Sequence, residues 1–337
     1  MGPYLYKGSP VDGKVGVLLL QLGTPDAPTP GALRKYLGQF LSDPRVVDWP
    51  KILWRPVLNG IILTFRPAKS AAKYKLIWDE KSGSPLMRYS IRQVELLQER
   101  FPNAIVALGM TYGNPSICNA VDSLRKKGVD RIIAFPMFPQ YSATTTAAAT
   151  DALYKCLVRQ SVKRVPDIRI VPPHPEHPGY IEALVKTIEE DLARLTWDPE
   201  RFVISFHGIP IRYCQQGDIY ATHVKQTTRK LVERLGWKKG TWRQVFQSRF
   251  GPEKWLKPYM EDYLQEIAAE GVKRVFVVAP GFTADCLETI DEIGREFLEV
   301  FHEAGGEELR LCPCLNDHPY WIDAMEQIVC QEGKPWI

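Results

Sequence analysis

The chain has 337 residues, a length that predicts two domains rather than one. Forty-three lysines and arginines against thirty-nine aspartates and glutamates give a net charge of +4, which is too small to indicate a nucleic-acid-binding protein. The longest lipophilic stretch, residues 52–65, contains Pro56 and Asn59 and is shorter than the about 20 apolar residues of a transmembrane helix, so we expect no membrane span.

The N-terminus and the cysteines indicate a cytoplasmic protein. Residues 1–14 have no apolar stretch behind a basic start, so we expect no signal peptide. Seven cysteines, an odd number, are scattered along the chain, which favours reduced thiols. Cys312 and Cys314 lack the two-residue gap of zinc and redox motifs, so this pair is not expected to bind a metal.

Apolar runs of strand length alternate with amphipathic stretches of helix length. This alternation predicts an α/β fold with doubly wound parallel sheets. Buried parallel strands are predicted at residues 15–22, 105–110, 131–135, 168–171, 202–206 and 275–279. Helices are predicted at residues 90–100, 116–127, 180–195, 223–235, 258–270 and 284–304.

A weak internal repeat relates the two halves of the chain. Residues 17–25 and 202–210 are both apolar strands that end in Gly-x-Pro. Residues 128–138 and 271–282 both run from Gly-Val-x-Arg through an apolar strand to a Pro-x-Phe sequence. We infer two similar α/β halves that face each other across a cleft.

The halves meet near the proline-rich residues 171–178. Residues 14–172 are predicted to form the first Rossmann-like half, and residues 173–317 the second. The C-terminal helix, residues 318–337, is expected to complete the first half.

The ends of the repeated strands differ in chemistry. Ligands of open α/β sheets bind beyond the carboxyl ends of the strands, where the first half has Leu22 and the second has His207. An imidazole at this place binds a metal or accepts a proton, or else it caps the strand turn through hydrogen bonds. The chain contains no glycine-rich nucleotide motif, so the first half is expected to supply an apolar wall.

Glu288 opens the helix predicted at residues 284–304. Glu288, Glu292 and Glu296 recur every four residues, which in an α-helix places them on one face. A solvated face is the ordinary interpretation, and only Glu288, near the helix start, is favoured as a site residue. The core stripe of this helix is predicted to consist of Leu287, Ile290, Gly294, Phe297 and Phe301.

Three other patterns each allow two interpretations. His174 and His177 are flanked by prolines, which favours a linker over a metal site. A basic cluster before Ser84 is either ordinary surface or a carboxylate-binding patch; it comprises Arg66, Lys69, Lys73 and Lys75. An apolar helical stripe is either core or a lip over a flat apolar ligand; it comprises Leu33, Leu37, Phe40 and Leu41.

Several ordered motifs resemble those of the ferrochelatase family. Ser-Phe-His-Gly-Ile-Pro at residues 205–210, followed by Gly-Asp-Ile-Tyr at 217–220, closely resembles its signature. Residues 247–258 and 280–289 resemble its second-half segment and its carboxylate segment. First-half blocks at residues 22–25, 83–85 and 138–142 extend the likeness, which runs from residue 14 to about residue 329.

The resemblance implies two Rossmann-like domains and insertion of Fe²⁺ into protoporphyrin IX to give protohaem, the terminal step of haem biosynthesis; coproporphyrin fits it too. It implies that one of His207 and Glu288 deprotonates the pyrroles and that the other delivers the metal, and it leaves open which residue has which role. Asp285 and Glu292 are expected beside them at the metal. The porphyrin-binding residues that it implies are Leu22, Arg66, Lys69, Ser84, Tyr112 and Trp255, of which Arg66, Lys69 and Ser84 would hold the propionates.

The resemblance also sets expectations about cofactors and partners. Fe²⁺ is expected as a substrate, with no tightly bound cofactor and no iron–sulfur cluster, because the chain ends without the cysteine-bearing tail of some relatives. Cys286 stands where many relatives have a second histidine. A monomer is favoured, and a peripheral contact with the inner membrane through apolar lips such as residues 37–41 is left open.

Two alternatives belong to other classes of protein. A cobalt or nickel chelatase of a related, more carboxylated tetrapyrrole would need more basic residues around the cleft and commonly a second histidine. A non-catalytic haem or porphyrin carrier would need an axial histidine or methionine and no carboxylate partner, which Glu288 beside His207 disfavours.

Overall fold

The computed structural model describes residues 13–159 and 165–337, so most of the stretch on which the signal-peptide expectation depends, residues 1–12, lies outside the described residues. The described residues form two four-stranded parallel sheets with the same topology, of order β2-β1-β3-β4 and β6-β5-β7-β8. The first sheet consists of β1 Lys14–Thr24, β2 Ile105–Gly113, β3 Val129–Pro136 and β4 Asp167–Ile170. The second consists of β5 Arg201–His207, β6 Trp242–Gln247, β7 Arg274–Val278 and β8 Glu308–Leu311.

Helices cover the faces of both sheets, and a hydroxyl caps the first turn of several of them, as Ser84 does by accepting from the Met87 amide at 3.2 Å. The helices are α1 Pro30–Ser42, α2 Lys51–Val57, α3 Leu63–Ile77, α4 Pro85–Arg100, α5 Ile117–Lys126, α6 Ala148–Arg159, α7 Pro178–Leu192, α8 Ile211–Gln215, α9 Tyr220–Leu235, α10 Met260–Ala269, α11 Leu298–Glu303 and α12 Pro319–Gly333. Within the described ranges, three π-helical segments adjoin them, at Leu58–Ile62, Ala143–Ala147 and Glu288–Phe297.

The two-residue period of the strands divides their side chains between separate cores. In β1, Leu18 and Leu20 pack with α5 and α6, whereas Val17 and Leu19 face a central core. In β5 the same alternation places Val203 on the side of α10, whereas Ile204 packs in the central core. The central core therefore contains side chains from both sheets and joins the two halves.

The C-terminal helix α12 lies in this central core. It packs against α4, α7 and β3, and its Trp321 is fully buried beside Tyr180 of α7. The helix thus contacts α4 and β3 of the predicted first half and α7 of the predicted second half, so its assignment to the first half stays a prediction. The domain boundaries themselves stay predictions.

Two strands, β6 and β8, were not predicted from the sequence. Both lie at the edges of the second sheet, where one side of the strand has no partner strand. Edge strands need fewer buried side chains, and β6 accordingly buries only its last three residues, Val245, Phe246 and Gln247. A pattern that relies on continuous apolar runs misses such strands.

The helix predicted at residues 284–304 is largely π-helical, which changes the face that each side chain occupies. The buried positions of its π-helical segment are Thr289, Asp291, Ile293 and Phe297. Ile290, predicted as core, is 36% exposed. The prediction was wrong here because the wider π turn, with i to i+5 hydrogen bonds, rotates successive residues differently from an α-helix.

The apolar stripe of α1 belongs to a core rather than to an exposed lip. Leu33, Leu37 and Leu41 are buried against α3, in line with the core interpretation of this stripe. Several exposed apolar side chains lie on the following segment, residues 49–77, and include Ile52, 87% exposed, and Phe65, 67% exposed. No helix among residues 13–159 and 165–337 has the length and apolar character required to cross a bilayer.

Candidate active site

His207 is the last residue of β5, a strand at the centre of the second sheet. Its Nδ1 lies 2.6 Å from the carbonyl oxygen of Gly208. Because a carbonyl oxygen only accepts, the neutral ring donates from Nδ1 and keeps a lone pair on Nε2. The half-buried imidazole thus offers Nε2 as a proton acceptor or metal ligand.

Gly208 allows the ring of Trp255 to lie directly against this strand end. A Cβ at Gly208 would come within 3.0 Å of the Gln247 carbonyl oxygen and 3.2 Å of Trp255 Cε3. Any larger residue would therefore displace the indole or the neighbouring strand. Tyr220 adds a hydrogen bond from its hydroxyl to the His207 carbonyl oxygen at 2.9 Å.

Glu288 and Glu292 approach His207 from the π-helical segment. Gln247, paired with His207 across β5 and β6, donates from Nε2 to the Glu288 carbonyl oxygen at 2.9 Å and to Glu292 Oε2 at 3.1 Å. Ser248 Oγ donates to the same Glu292 oxygen at 2.5 Å. Imidazole and carboxylates are therefore held at one edge of the second sheet.

The pKa of Glu292 depends on the groups that surround its carboxylate. Burial raises its pKa, and the nearby charge of Glu288 adds to the rise. The hydrogen bond from Ser248, the charge of His207 and the hydrogen bond from Gln247 act in the opposite direction. Since both His207 and Glu288 act on Glu292, these three groups share one environment.

The first half packs against the residue beside Glu288. Leu287, next to Glu288, packs into the cluster that contains Leu22, Tyr36 and Tyr112. Burial raises the pKa of the Tyr36 hydroxyl, and the charge of Glu288 contributes to this rise. Tyr36 is further held by a hydrogen bond to the Gly23 carbonyl oxygen at 3.1 Å. Glu288 therefore projects from the second half toward an aromatic surface of the first.

The residues predicted to bind a porphyrin lie in the first half, except Trp255, which lies in the second. Leu22 is half-buried, and Tyr112 is buried with its hydroxyl donating to Asp43 Oδ2 at 2.9 Å. Arg66 and Lys69 are exposed on α3, and the Arg66 guanidinium lies 5.0 Å from the ring centre of Phe250.

Ser84 lines a shallow pocket of about 230 Å³ beyond the end of β1. Its hydroxyl oxygen caps α4, which leaves its own hydrogen free to donate. The other residues around the pocket are Thr24, Pro25, Asp26, Trp78, Gly83, Met87, Asn114 and Pro115.

Asp285 lies apart from the other predicted metal-binding residues. Its buried carboxylate accepts hydrogen bonds from Thr289 Oγ1 at 2.9 Å, Asn316 Nδ2 at 2.6 Å and the Cys314 amide at 3.4 Å. These donors hold Asp285 within the protein. In the described part of the chain, no three His, Cys, Asp or Glu side chains are gathered as ligands for a metal ion.

The cysteines near the site are protonated thiols. Burial raises the pKa of Cys286, and the charge of Glu288 adds to this rise. Burial also raises the pKa of Cys312 and Cys314. Burial therefore disfavours the thiolate of Cys286, which is the form that binds a metal.

Ion pairs between the halves were not predicted. Arg212 of α8 donates from Nε to Glu253 Oε1 at 2.7 Å and from Nη2 to Asp48 Oδ1 at 2.7 Å. On the other side, Lys73 of α3 lies 2.6 Å from Glu296 of the π-helical segment. The Arg212–Glu253 pair lies within the second half. The Arg212–Asp48 and Lys73–Glu296 contacts join residues 164 and more than 200 positions apart, so neither motif nor spacing indicates them.

The family model for Ferrochelatase matches residues 14–333. The chain belongs to the ferrochelatase family. A ferrochelatase from Mesorhizobium japonicum is 46% identical over 329 residues, covering 96% of this chain and 93% of the relative. A ferrochelatase from Rhizobium meliloti is 43% identical over 329 residues, covering 96% of each chain.

Solved chelatase structures share the fold. SirB from Bacillus subtilis with Fe³⁺ gives a TM-score of 0.58 at 14% identity, covering 95% of this chain and 96% of that one. The sirohydrochlorin chelatase SirB from Bacillus subtilis subspecies spizizenii, in complex with cobalt, gives 0.55 at 12% identity, covering 96% and 97%. At such low identity the likeness shows the fold alone. The predicted fold, two Rossmann-like domains of the chelatase type, is confirmed.

Proposed function

We propose that this chain inserts Fe²⁺ into protoporphyrin IX, releasing protohaem and the two pyrrole protons, as a lyase of the ferrochelatase family. Membership of the family over residues 14–333 supports the reaction. The structural observation that carries the proposal is the convergence of His207, Glu288 and Glu292 at one sheet edge, opposite an aromatic wall.

His207 is proposed as the proton acceptor. The hydrogen bond to Gly208 fixes the tautomer in which Nε2 has a lone pair. A pyrrole N–H that reaches Nε2 transfers its proton there, and the pyrrole nitrogen keeps the electron pair with which it binds iron. The resulting imidazolium is stabilised by the neighbouring carboxylates of Glu288 and Glu292.

Glu288 and Glu292 are proposed to pass Fe²⁺, the second substrate, to the ring. Oxygen ligands suit a hydrated divalent cation, and a sparse ligand set releases a metal more readily than a closed cage. Because hydrogen bonds occupy Glu292 Oε2, Oε1 of this residue is the oxygen that would bind iron. Asp285 contributes by holding the start of the π-helical segment through Thr289.

The porphyrin is proposed to lie between the two walls, with Leu22 and Tyr112 on one side and Trp255 on the other. Apolar contacts with a flat macrocycle supply binding energy that can distort the ring toward the geometry needed for metal entry. Exposed Arg66 and Lys69 suit the propionates, and the Ser84 hydroxyl can donate to one of them.

An anaerobic absorption assay tests this function. Protein, Fe²⁺ and protoporphyrin are mixed, and we expect the free-base porphyrin bands to give way to those of haem at a rate proportional to enzyme. Coproporphyrin with Fe²⁺, and sirohydrochlorin with Co²⁺ or Ni²⁺, run in parallel. Turnover with sirohydrochlorin alone would identify a chelatase of the other class, and bound porphyrin without metal insertion would identify a carrier.

The proposed enzyme works as a monomer without a resident cofactor. Both walls of the cleft come from one chain, so the site is complete without a second copy. Cys312 and Cys314 are buried thiols and Cys330 is a partly exposed one, whereas an iron–sulfur cluster requires thiolates. Light scattering and iron and sulfide analysis of the purified protein check both statements.

A peripheral membrane contact on the cytoplasmic side is proposed for the segment 49–77. Ile52, Leu53, Ile61 and Phe65 are each more than half exposed, and Lys51 and Arg55 lie among them. Free thiols throughout the chain favour a reducing compartment. Sedimentation with anionic vesicles should carry the protein down, and Ile52→Ser with Leu53→Ser should weaken this association.

A further inference from the structure

Ser248 has a backbone conformation that favours glycine. Its φ of +64° lies in the left-handed region, and among the described residues only Asn316 is also a non-glycine residue there. Ser248 directly follows β6 and begins the connection that leads to Trp255. A serine at such a position suggests that its hydroxyl is used.

The hydroxyl of Ser248 contacts a carboxylate of the proposed site. It donates to Glu292 Oε2 at 2.5 Å, the oxygen that also accepts from Gln247 Nε2 at 3.1 Å. The amide of Gln247 is itself fixed, because its Oε1 accepts from Ser205 Oγ at 2.8 Å and its Nε2 also donates to the Glu288 carbonyl oxygen. Two donors from the end of β6 therefore hold one oxygen of Glu292.

These donors differ in what else they hold. Gln247 is buried and also binds β5 and the π-helical segment, so removing it would disturb the fold around the site. Ser248 is half-buried, and Glu292 is the partner of its hydroxyl. Ser248 can therefore be changed with little effect beyond Glu292.

We propose that Ser248 is a positioning residue for iron delivery: its left-handed backbone presents the hydroxyl that fixes Glu292 Oε2, so that Oε1 faces iron beside His207. This inference rests on the proposed function and deepens it. Positioning groups that orient a metal-binding side chain contribute about 10–100-fold to metal affinity or activity. The effect should fall on the iron substrate, because Ser248 acts through a carboxylate rather than through the porphyrin wall.

Ser248→Gly separates positioning from folding. Glycine adopts a positive φ without strain, so this variant removes the hydroxyl without straining the backbone. In anaerobic steady-state assays with iron and porphyrin varied in turn, we expect kcat/KM for Fe²⁺ to fall about 10–100-fold. The KM for porphyrin should stay within about twofold. Ser248→Asn, which tolerates the same backbone and carries an amide donor, should recover part of the loss.

A double-mutant cycle with Glu292→Gln provides the matched control. If Ser248 acts through Glu292, adding Ser248→Gly to Glu292→Gln should cause no further loss of kcat/KM for Fe²⁺. Unchanged iron kinetics in Ser248→Gly, or an equal loss for both substrates together with a lower unfolding free energy, would overturn the positioning role alone. A wild-type protein that inserts no iron would instead overturn the proposed function and this inference with it.

Discussion

His207 and Gln247 are register partners at the ends of β5 and β6. Through the amide of Gln247, the strand end that carries His207 is joined to the backbone of Glu288 and to the carboxylate of Glu292. One buried amide thus sets the position of the π-helical segment relative to the imidazole. The proposed acid–base and metal-binding groups are fixed by this arrangement before a substrate enters.

His207→Ala and Glu288→Gln should abolish iron insertion without unfolding the protein. Both side chains are half-buried at the cleft, and in Glu288 the hydrogen bond from Gln247 is made to the backbone, which the substitution keeps. Loss of a general base or of a metal-passing carboxylate should lower kcat at least about 100-fold. Circular dichroism checks folding, and the anaerobic absorption assay checks turnover; a variant that retains turnover removes its residue from the mechanism.

The ion pair between Arg212 and Asp48 should stabilise the contact between the halves. The Arg212 guanidinium holds the pKa of Asp48 below its usual range, and both side chains are about one third exposed. Solvent screening limits such a pair, so we expect a coupling of about 1 kcal/mol between Arg212→Met and Asp48→Asn in urea unfolding.

Glu253→Gln is the matched control for this cycle, because it removes the other partner of Arg212 and leaves Asp48 in place. Its coupling to Asp48→Asn should be smaller than that of Arg212→Met. High salt should reduce the Arg212–Asp48 coupling. A coupling near zero at low salt would show that this contact does not hold the halves together.

Much of the fold could be predicted because its central strands are continuous apolar runs. Such a run predicted β5, and the glycine after it predicted that the His207 ring points out of the core. The edge strand β6 could not be predicted this way, so the sequence indicates Gln247 and Ser248 only as part of a family motif and gives them no role. Glu292 was placed near the metal only by resemblance, because the α-helical period could not reveal a π-helical segment.

The contacts between the halves could not be predicted from the sequence either. Arg212 and Asp48 are separated by 164 positions, and each residue alone has the features of ordinary surface. Lys73 was assigned to a basic cluster, yet it pairs with Glu296 of the other half. The sequence shows which residues are charged but not which of them pair, because the fold brings distant segments together.

Asn316→Gly should destabilise the loop that carries Asp285. The Asn316 side chain donates to Asp285 Oδ2 at 2.6 Å and accepts from the Asp285 amide at 2.8 Å. Glycine keeps the positive φ of this position, so the substitution isolates the loss of these hydrogen bonds. We expect the free energy of unfolding to fall by about 1–3 kcal/mol, because a buried carboxylate loses a donor.

Asn316→Ala is the comparison for this variant. Alanine loses the same hydrogen bonds and also strains the left-handed backbone, so it should cost about 1 kcal/mol more than glycine. Denaturant unfolding at neutral pH measures both. Equal stability of wild type and Asn316→Gly would show that Asp285 does not depend on this amide, and would return the carboxylate to consideration as an iron ligand.

His174 should make the protein sensitive to mild acid. Its ring is buried beside Phe135 and Trp321, and burial lowers its pKa to about 4. The ordinary pKa of a histidine is near 6.5. At a pH between 6.5 and about 4, the His174 imidazole is therefore protonated in the unfolded chain but neutral in the folded chain. Stability from this residue is therefore complete above pH 6.5 and falls as the pH decreases toward 4, by up to about 3 kcal/mol.

Urea unfolding across this pH range in wild type and His174→Phe measures the contribution. Phenylalanine keeps an aromatic ring in the core but cannot bind a proton, so the fall in stability with acid should be smaller in this variant by the same amount. Val329→Ala is the matched control, since it opens a cavity in the same core and should lower stability by an equal amount at every pH. Parallel pH profiles for wild type and His174→Phe would show that His174 is not the residue that titrates.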